Sequence, residues 1–265
     1  DNEYDDVVFG CVDTIGPLAG DIARTCWLAA GLSDEVPGTT VDRQCGSSQQ
    51  AVHFAAQGVM AGVYDIVIAG GVESMTRVPM GITMQQGPGL PFGPQMLERY
   101  DNGIVPQGIS AELIAEQWGI TRGEIDQLAL DSHMRAMQAT EEGRFDREIL
   151  PIEVKNEDGS VDPMTRDEGI RSTTTLEALA GLKPAFKEGG VVTAGNSSQI
   201  TDGAAAVLVM SEEKAQELGL QPRARFKAFA VVGVDPVIML TGFGGLMRAT
   251  GEVPRGVDLV IPKPV

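Results

Sequence analysis

Residue types able to do covalent chemistry are few in this sequence, and one of them stands in a telling place. Cys45 opens the run Cys45-Gly46-Ser47-Ser48, between a β-leaning stretch, Pro37 to Val41, and the helix-favouring Ala51-Val52-His53-Phe54-Ala55-Ala56. A helix start presents unpaired N–H groups and the positive end of the macrodipole, so a thiolate there is stabilised and the thiol pKa falls. That is how a cysteine becomes a nucleophile near neutral pH. The competing reading is a buried, inert cysteine. Gly46, Ser47 and Ser48 weigh against it, because small residues let backbone amides approach a ligand and supply hydroxyls at the helix start, which mere packing does not require.

No base accompanies this nucleophile locally. His53 lies eight residues further along the expected helix, roughly 12 Å along its axis, beyond proton-transfer reach. His133 falls within a later helical stripe and reads as a packing residue. Cys11, Cys26 and Cys45 lack paired metal-ligand spacing, so no metal is expected. Gly70-Gly71 and Gly87-Pro88-Gly89 form neither a dinucleotide fingerprint nor a P-loop. Glu141-Glu142 reads as a solvated helix end. A second informative cluster is Ala194-Gly195-Asn196-Ser197-Ser198-Gln199, small and hydroxyl-bearing between apolar stretches, which suits either an ordinary turn or a loop along which a polar ligand lies.

The elements around these residues follow from periodicity. Asp6 to Val12 and Tyr64 to Gly71 are short, apolar, buried-type strands, with Asp21 capping a helix between them that stops at Gly31. Alternating strands and helices predict an α/β fold, a mainly parallel mixed sheet with helices on both faces, interrupted by a loop domain. Residues 77 to 108 lose all period. Ser110 is expected to cap a helix from Ala111 to Trp118, and Thr121 with Glu124 forms a capping box for a helix from about Arg122 to Glu142. Asn156-Glu157-Asp158-Gly159 reads as a hairpin turn, Ala204 to Met210 as a strand, Ser211 as a helix cap and Ala224 to Val232 as a further strand.

At 265 residues, with 43% hydrophobic and 22% charged residues, the chain suits a globular enzyme. A net charge of −17 argues against nucleic-acid or anionic-membrane binding. Three cysteines do not make a disulfide framework, which points to a reducing, cytoplasmic setting.

The sequence resembles the thiolase family. The matching residues are Val41 to Ala51, Gly70-Gly71-Val72-Glu73-Ser74-Met75, Gly108-Ile109-Ser110-Ala111-Glu112, Glu142-Gly143-Arg144-Phe145, Val192 to Ala206, and Val232-Gly233-Val234-Asp235-Pro236. The resemblance implies reversible thiolytic cleavage or Claisen condensation of 3-ketoacyl-CoA and acetyl-CoA, in fatty acid or sterol side-chain metabolism, with Cys45 the acylated residue and its backbone amide one arm of an oxyanion hole. It implies that coenzyme A serves as substrate, with no cofactor, and is held by Arg171 near the nucleotide, Phe186 along the pantetheine, Ala194 and Ser198 in the small-residue loop, and Met239 near the acyl end. It further implies a homodimer or homotetramer. Residues 1–76 and 191–242 correspond to the two parts of an N-terminal thiolase domain and 77–190 to the CoA-binding loop domain. Residues 243–265 match nothing in the family. The family's edge strand and helix before Asp6, and its segments bearing the asparagine, the histidine base and the second cysteine, have no counterpart here, so the chain is expected to be part of a longer thiolase. Pro106-Gln107 replaces a histidine–methionine pair frequent in the family, implying a differently shaped acyl pocket. The alternatives are a non-catalytic acyl-CoA binder and a condensing enzyme of the ketosynthase type.

Overall fold

The computed structural model describes residues 3–89, 91–101 and 103–242. In chain order its elements begin with β1 (Asp6–Gly10), α1 (Ile22–Ala29), β2 (Gly38–Val41), α2 (Ser47–Met60), β3 (Ile66–Glu73), α3 (Ile82–Gln85) and α4 (Pro94–Arg99). There follow α5 (Gln107–Trp118), α6 (Arg122–Glu141), β4 (Ile152–Lys155), β5 (Val161–Met164), α7 (Leu176–Ala180), β6 (Gly203–Met210) and α8 (Glu212–Glu217). They fall into two compact units, one comprising the described residues up to 96 with 200–233, the other those of 97–199 with 234–242.

The first unit holds a four-stranded sheet in the order β2-β1-β3-β6. β1 runs parallel to both β2 and β3, while β6 is antiparallel to β3. The expected mainly parallel mixed sheet is therefore present. Strand alternation sends side chains to opposite faces. Val7, Phe9 and Ile68 meet Ala23 and Trp27 of α1, together with Val36. On the other face Val8, Val67, Ala69 and Val209 meet Ala51, Ala55 and Ala56 of α2. Alanines on α2 let its backbone lie close to the strands. Trp27 also finds a polar partner, its indole N–H donating to Ser33 O at 2.6 Å, with Tyr4 edge-on at 5.3 Å.

The N-terminus of α2 sits against the ends of β1 and β3 because two glycines make room. A Cβ at Gly10 would overlap the Ser48 backbone, and one at Gly71 would overlap the Ser48 hydroxyl. The Gly70-Gly71 pair thus serves close approach, Gly70 to the Ala205 backbone and Gly71 to Ser48. Asp21 caps α1 as expected, accepting from Arg24 N, and its φ of 63° is left-handed. Ala224 to Val232 does not form the strand expected of it: the segment is irregular, with no ladder partner among the described residues, since β-propensity without a partner leaves backbone groups unpaired.

In the second unit α6 packs against α7 and against a 3-10 turn at Ala194–Asn196, and α5 packs against a second 3-10 turn at Met239–Thr241. Thr121 and Glu124 form the expected capping box on α6. Ser110 does not cap α5. That helix begins earlier, after Pro106, whose fixed φ suits a helix start; Ser110 N donates to Pro106 O at 3.1 Å, inside the first turn, and its side chain is fully buried. β4 and β5 form a separate antiparallel hairpin.

Candidate active site

Cys45 is exposed on a closed turn between β2 and α2. Gln44, just before it, adopts φ 49°, a left-handed conformation uncommon outside glycine, asparagine and aspartate. Three local bonds hold that turn. Gln44 N donates to Asp42 Oδ1 at 2.8 Å, Arg43 N donates to Ser47 Oγ at 2.8 Å, and Ser47 Oγ donates to Gln44 O at 2.5 Å. The buried Ser47 hydroxyl works in both directions across the turn, so the hydroxyl-rich run after the cysteine has a structural duty besides any toward a ligand. The result is a strand, a strained elbow and a helix start, with a thiol projecting at the elbow.

The other two cysteines differ in kind. Cys11 is buried, and burial first, then the neighbouring Glu73 carboxylate, push its thiol up to about 12. Cys26 lies on α1, its thiol also raised by burial. His53 belongs to the aromatic packing: its ring meets Phe229 edge-on at 5.2 Å, and its Nδ1 is buried without a hydrogen-bond partner. Burial and then Arg43 hold it below the usual imidazole range, so it is neutral at physiological pH. The unbroken α2 carries it about 9 Å along the axis from Ser47.

The second unit contains Arg171, Phe186, Ala194, Ser198 and Met239, all exposed. The backbone leading to Ala194 and Ser198 is clamped by a buried carboxylate: Glu112 accepts from Val191 N at 2.9 Å and Val192 N at 2.8 Å. Thr193 and Asn196 close a capping box around the 3-10 turn. Asn196 Nδ2 donates to Asp126 Oδ1 at 2.8 Å, and Asp126, itself buried, takes Arg122 Nε at 2.7 Å. Ala185 N bonds Val192 O at 2.9 Å, tying the segment before Phe186 to the same backbone. Gly108 admits the Phe186 ring, which a Cβ there would overlap. Arg171 N donates to His133 Nδ1 at 3.3 Å, so His133 braces this backbone as an acceptor. Met239 begins the turn that packs on α5.

An exposed thiol at a strained strand-to-helix elbow, and a separately braced small-residue loop, agree with one family model. Residues 1–213 match the thiolase N-terminal domain. The chain belongs to the thiolase family. It is 47% identical over 244 residues to the steroid 3-ketoacyl-CoA thiolase FadA6 of Mycobacterium tuberculosis, covering 90% of this chain and 58% of that protein. It is 46% identical to a 3-ketoacyl-CoA thiolase of Aliivibrio fischeri over 92% of this chain and 61% of that protein. Among solved structures, the Bacillus anthracis acetyl-CoA acetyltransferase superposes with a TM-score of 0.81 at 40% identity, over 97% of this chain and 66% of that one. The chain thus spans about three fifths of the length of its curated thiolase relatives.

Within the thiolase fold, several supporting residues escaped the reading of motifs. Glu73 accepts from Val12 N at 3.0 Å and Asp13 N at 3.4 Å, binding the end of β3 to the end of β1. Asp13, buried, accepts from Gly81 N at 3.0 Å and from Thr83 Oγ1 at 2.8 Å, anchoring the segment after β3. Glu73 and Glu112 both lie inside family-like motifs, and a carboxylate amid glycines and small residues was the available signal.

Proposed function

We propose that this chain is the nucleophile-bearing part of a thiolase that transfers acyl groups between a 3-ketoacyl-CoA and CoA through an acyl-Cys45 intermediate. The observation carrying this reading is the elbow at Gln44-Cys45-Gly46, which exposes a thiol at the start of a long helix, whereas Cys11 is buried and Cys26, though exposed, lies in the middle of α1. Family membership and relatives named as 3-ketoacyl-CoA thiolases support it.

In this reading the Cys45 thiolate attacks the C3 carbonyl carbon, and the developing oxyanion is met by backbone N–H groups at the helix start, among them that of Cys45. Collapse restores the carbonyl and breaks the C2–C3 bond, and its electron pair leaves with the acetyl-CoA carbon, which takes up a proton. The CoA thiol then gives up its proton and attacks the thioester, releasing acyl-CoA and the Cys45 thiolate. His53 is neutral and packed on Phe229, and the Nδ1 of His133 is engaged by Arg171 N, so the proton exchange is assigned to the histidine and second cysteine of family segments outside this chain. Arg171, Phe186, Ala194, Ser198 and Met239 are proposed to hold CoA, as substrate and not as cofactor. The acyl group is fatty or sterol-derived. With this reading go a cytoplasmic setting and a homodimer or homotetramer, consistent with an acidic chain whose three cysteines are free.

The test is incubation of the intact protein with acetoacetyl-CoA and with longer 3-ketoacyl-CoAs, with thiolysis followed by CoA consumption and the adduct by mass spectrometry. Cys45→Ala is expected to abolish both adduct and turnover. An adduct that persists in Cys45→Ala sinks the assignment. Tight acyl-CoA binding without any thiolysis by the wild type would make the protein a binder instead.

A further inference from the structure

The β4–β5 hairpin exposes every residue of both strands, including Ile152 at 61%, Val154 at 41% and Val161 at 52%. A two-stranded hairpin of this kind is marginal in water unless further strands or a covering surface join it. Its turn is well made. Gly159, at φ 86°, donates its N–H to Asn156 O at 3.0 Å, and Asn156 N donates to Ser160 O at 2.8 Å, the pattern of a three-residue loop with a glycine bulge.

That last bond sets which backbone groups face which way. Asn156 bonds toward β5, and with the antiparallel alternation and the register Val154↔Asp162 and Ile152↔Met164, Val154 and Ile152 do so too. Glu153 and Lys155 therefore point their N–H and C=O groups away from β5, along the outer edge of β4. On β5 the outward positions are Val161 and Pro163, opposite Lys155 and Glu153. Pro163 has no N–H to offer, so the β5 edge is blocked by a device that proteins use to prevent strand addition. The β4 edge carries no such block.

We propose that β4 is a self-complementary edge that pairs antiparallel with β4 of a second copy of this chain, with Val154 opposite Val154 of the other copy on the two-fold axis. The charge pattern selects both partner and register. Centred on Val154, each Glu153 lies opposite a Lys155, twice over, and these are the residues whose outward N–H and C=O groups form the reciprocal hydrogen-bonded pairs. Centred on Glu153, the two glutamates oppose each other and Lys155 meets Pro151, which cannot donate. Centred on Lys155, the two lysines oppose each other. Only the Val154 register combines opposite charges with matched hydrogen bonds, and it sets Val154 against its own copy on the axis, with Asp162 beside it on β5 and Ile152 opposite Asn156 of the other copy. The inference is independent of the proposed chemistry at Cys45.

Sedimentation velocity on the intact protein tests it with three variants at these exposed positions. Lys155→Glu and Glu153→Lys each turn both cross-axis attractions into repulsions and are expected to weaken association about tenfold, so that each sediments at half the wild-type mass at a concentration where the wild type is assembled. The double variant Glu153→Lys with Lys155→Glu restores both attractions and should reassemble, and an equimolar mixture of the two single variants should form the mixed species. Hydrogen exchange reads the same edge: the amides of Glu153 and Lys155 should slow as protein concentration rises. Single variants that assemble like the wild type, a double variant that stays dissociated, or edge amides indifferent to concentration would each overturn the proposal.

Discussion

At the scale of single residues, electrostatics and hydrogen bonding divide groups that look alike in sequence. Three cysteines occur, yet burial beside the Glu73 carboxylate withdraws Cys11 from nucleophilic chemistry, while the elbow at Gln44 presents Cys45. Alkylation should discriminate between them: with iodoacetamide at pH 8, Cys45 is expected to label well before Cys11, as peptide mapping would read. A second residue makes a pH prediction. The Tyr64 hydroxyl donates to Asp6 Oδ2 at 2.8 Å, and this bond, with burial, raises the phenol to about 12. A raised folded-state value means that the folded protein holds the proton more tightly than the unfolded chain. The resulting stability is fully present below the unfolded value of about 10 and is lost as pH rises from there through 12. Tyr64→Phe should therefore lower stability by about 1–2 kcal/mol at neutral pH and flatten the alkaline loss, measured by urea unfolding at pH 7, 10 and 11.

Elements show why glycine and carboxylate positions matter together. α2 reaches the ends of β1 and β3 only because Gly10 and Gly71 lack side chains, and the same approach sets the level at which Cys45 stands. Gly71→Ala forces a methyl into the Ser48 hydroxyl. It should cost about 1–3 kcal/mol by overpacking and, under the proposed function, depress Cys45 acylation beyond the loss of folded protein. In the other unit, Glu112 receives two backbone N–H groups that approach from about 80 residues away in the chain. Glu112→Ala leaves both donors unpaired, that of Val192 in the buried interior, so thermal stability should fall by about 2–4 kcal/mol and, under the proposed function, CoA binding should weaken with it, read by calorimetry. Glu112→Gln, which keeps one acceptor oxygen, should recover part of both.

Over the molecule as a whole, protection follows the layering. β1 and β3 have a strand on either side and helices on both faces, whereas β6 is exposed over most of its length and the β4–β5 hairpin is a two-stranded sheet exposed at every residue. Hydrogen exchange should accordingly find the slowest amides in β1 and β3. Faster exchange there than in α8 or β6 would contradict the placement of the core.

Much of this architecture was legible beforehand because its causes are local. Apolar strand runs, the Asp21, Thr121 and Ser211 caps, the Asn156 to Gly159 turn and the cysteine at a helix start each depend on neighbours within a few residues, where periodicity and side-chain-to-backbone bonding can be read directly. The same local logic failed at Ser110, where proline started the helix first, and at Ala224 to Val232, where strand propensity met no partner. Tertiary structure alone decided the rest: the left-handed Gln44 strutted by Ser47, the carboxylates of Glu73, Glu112 and Asp126, and the open edge of β4 beside the blocked edge of β5. Most of these arise from groups brought together across tens of residues, and even the Ser47 strut depends on a backbone bend with no residue-type signature. A buried carboxylate is chosen by the donors that surround it, and only the folded chain assembles those donors.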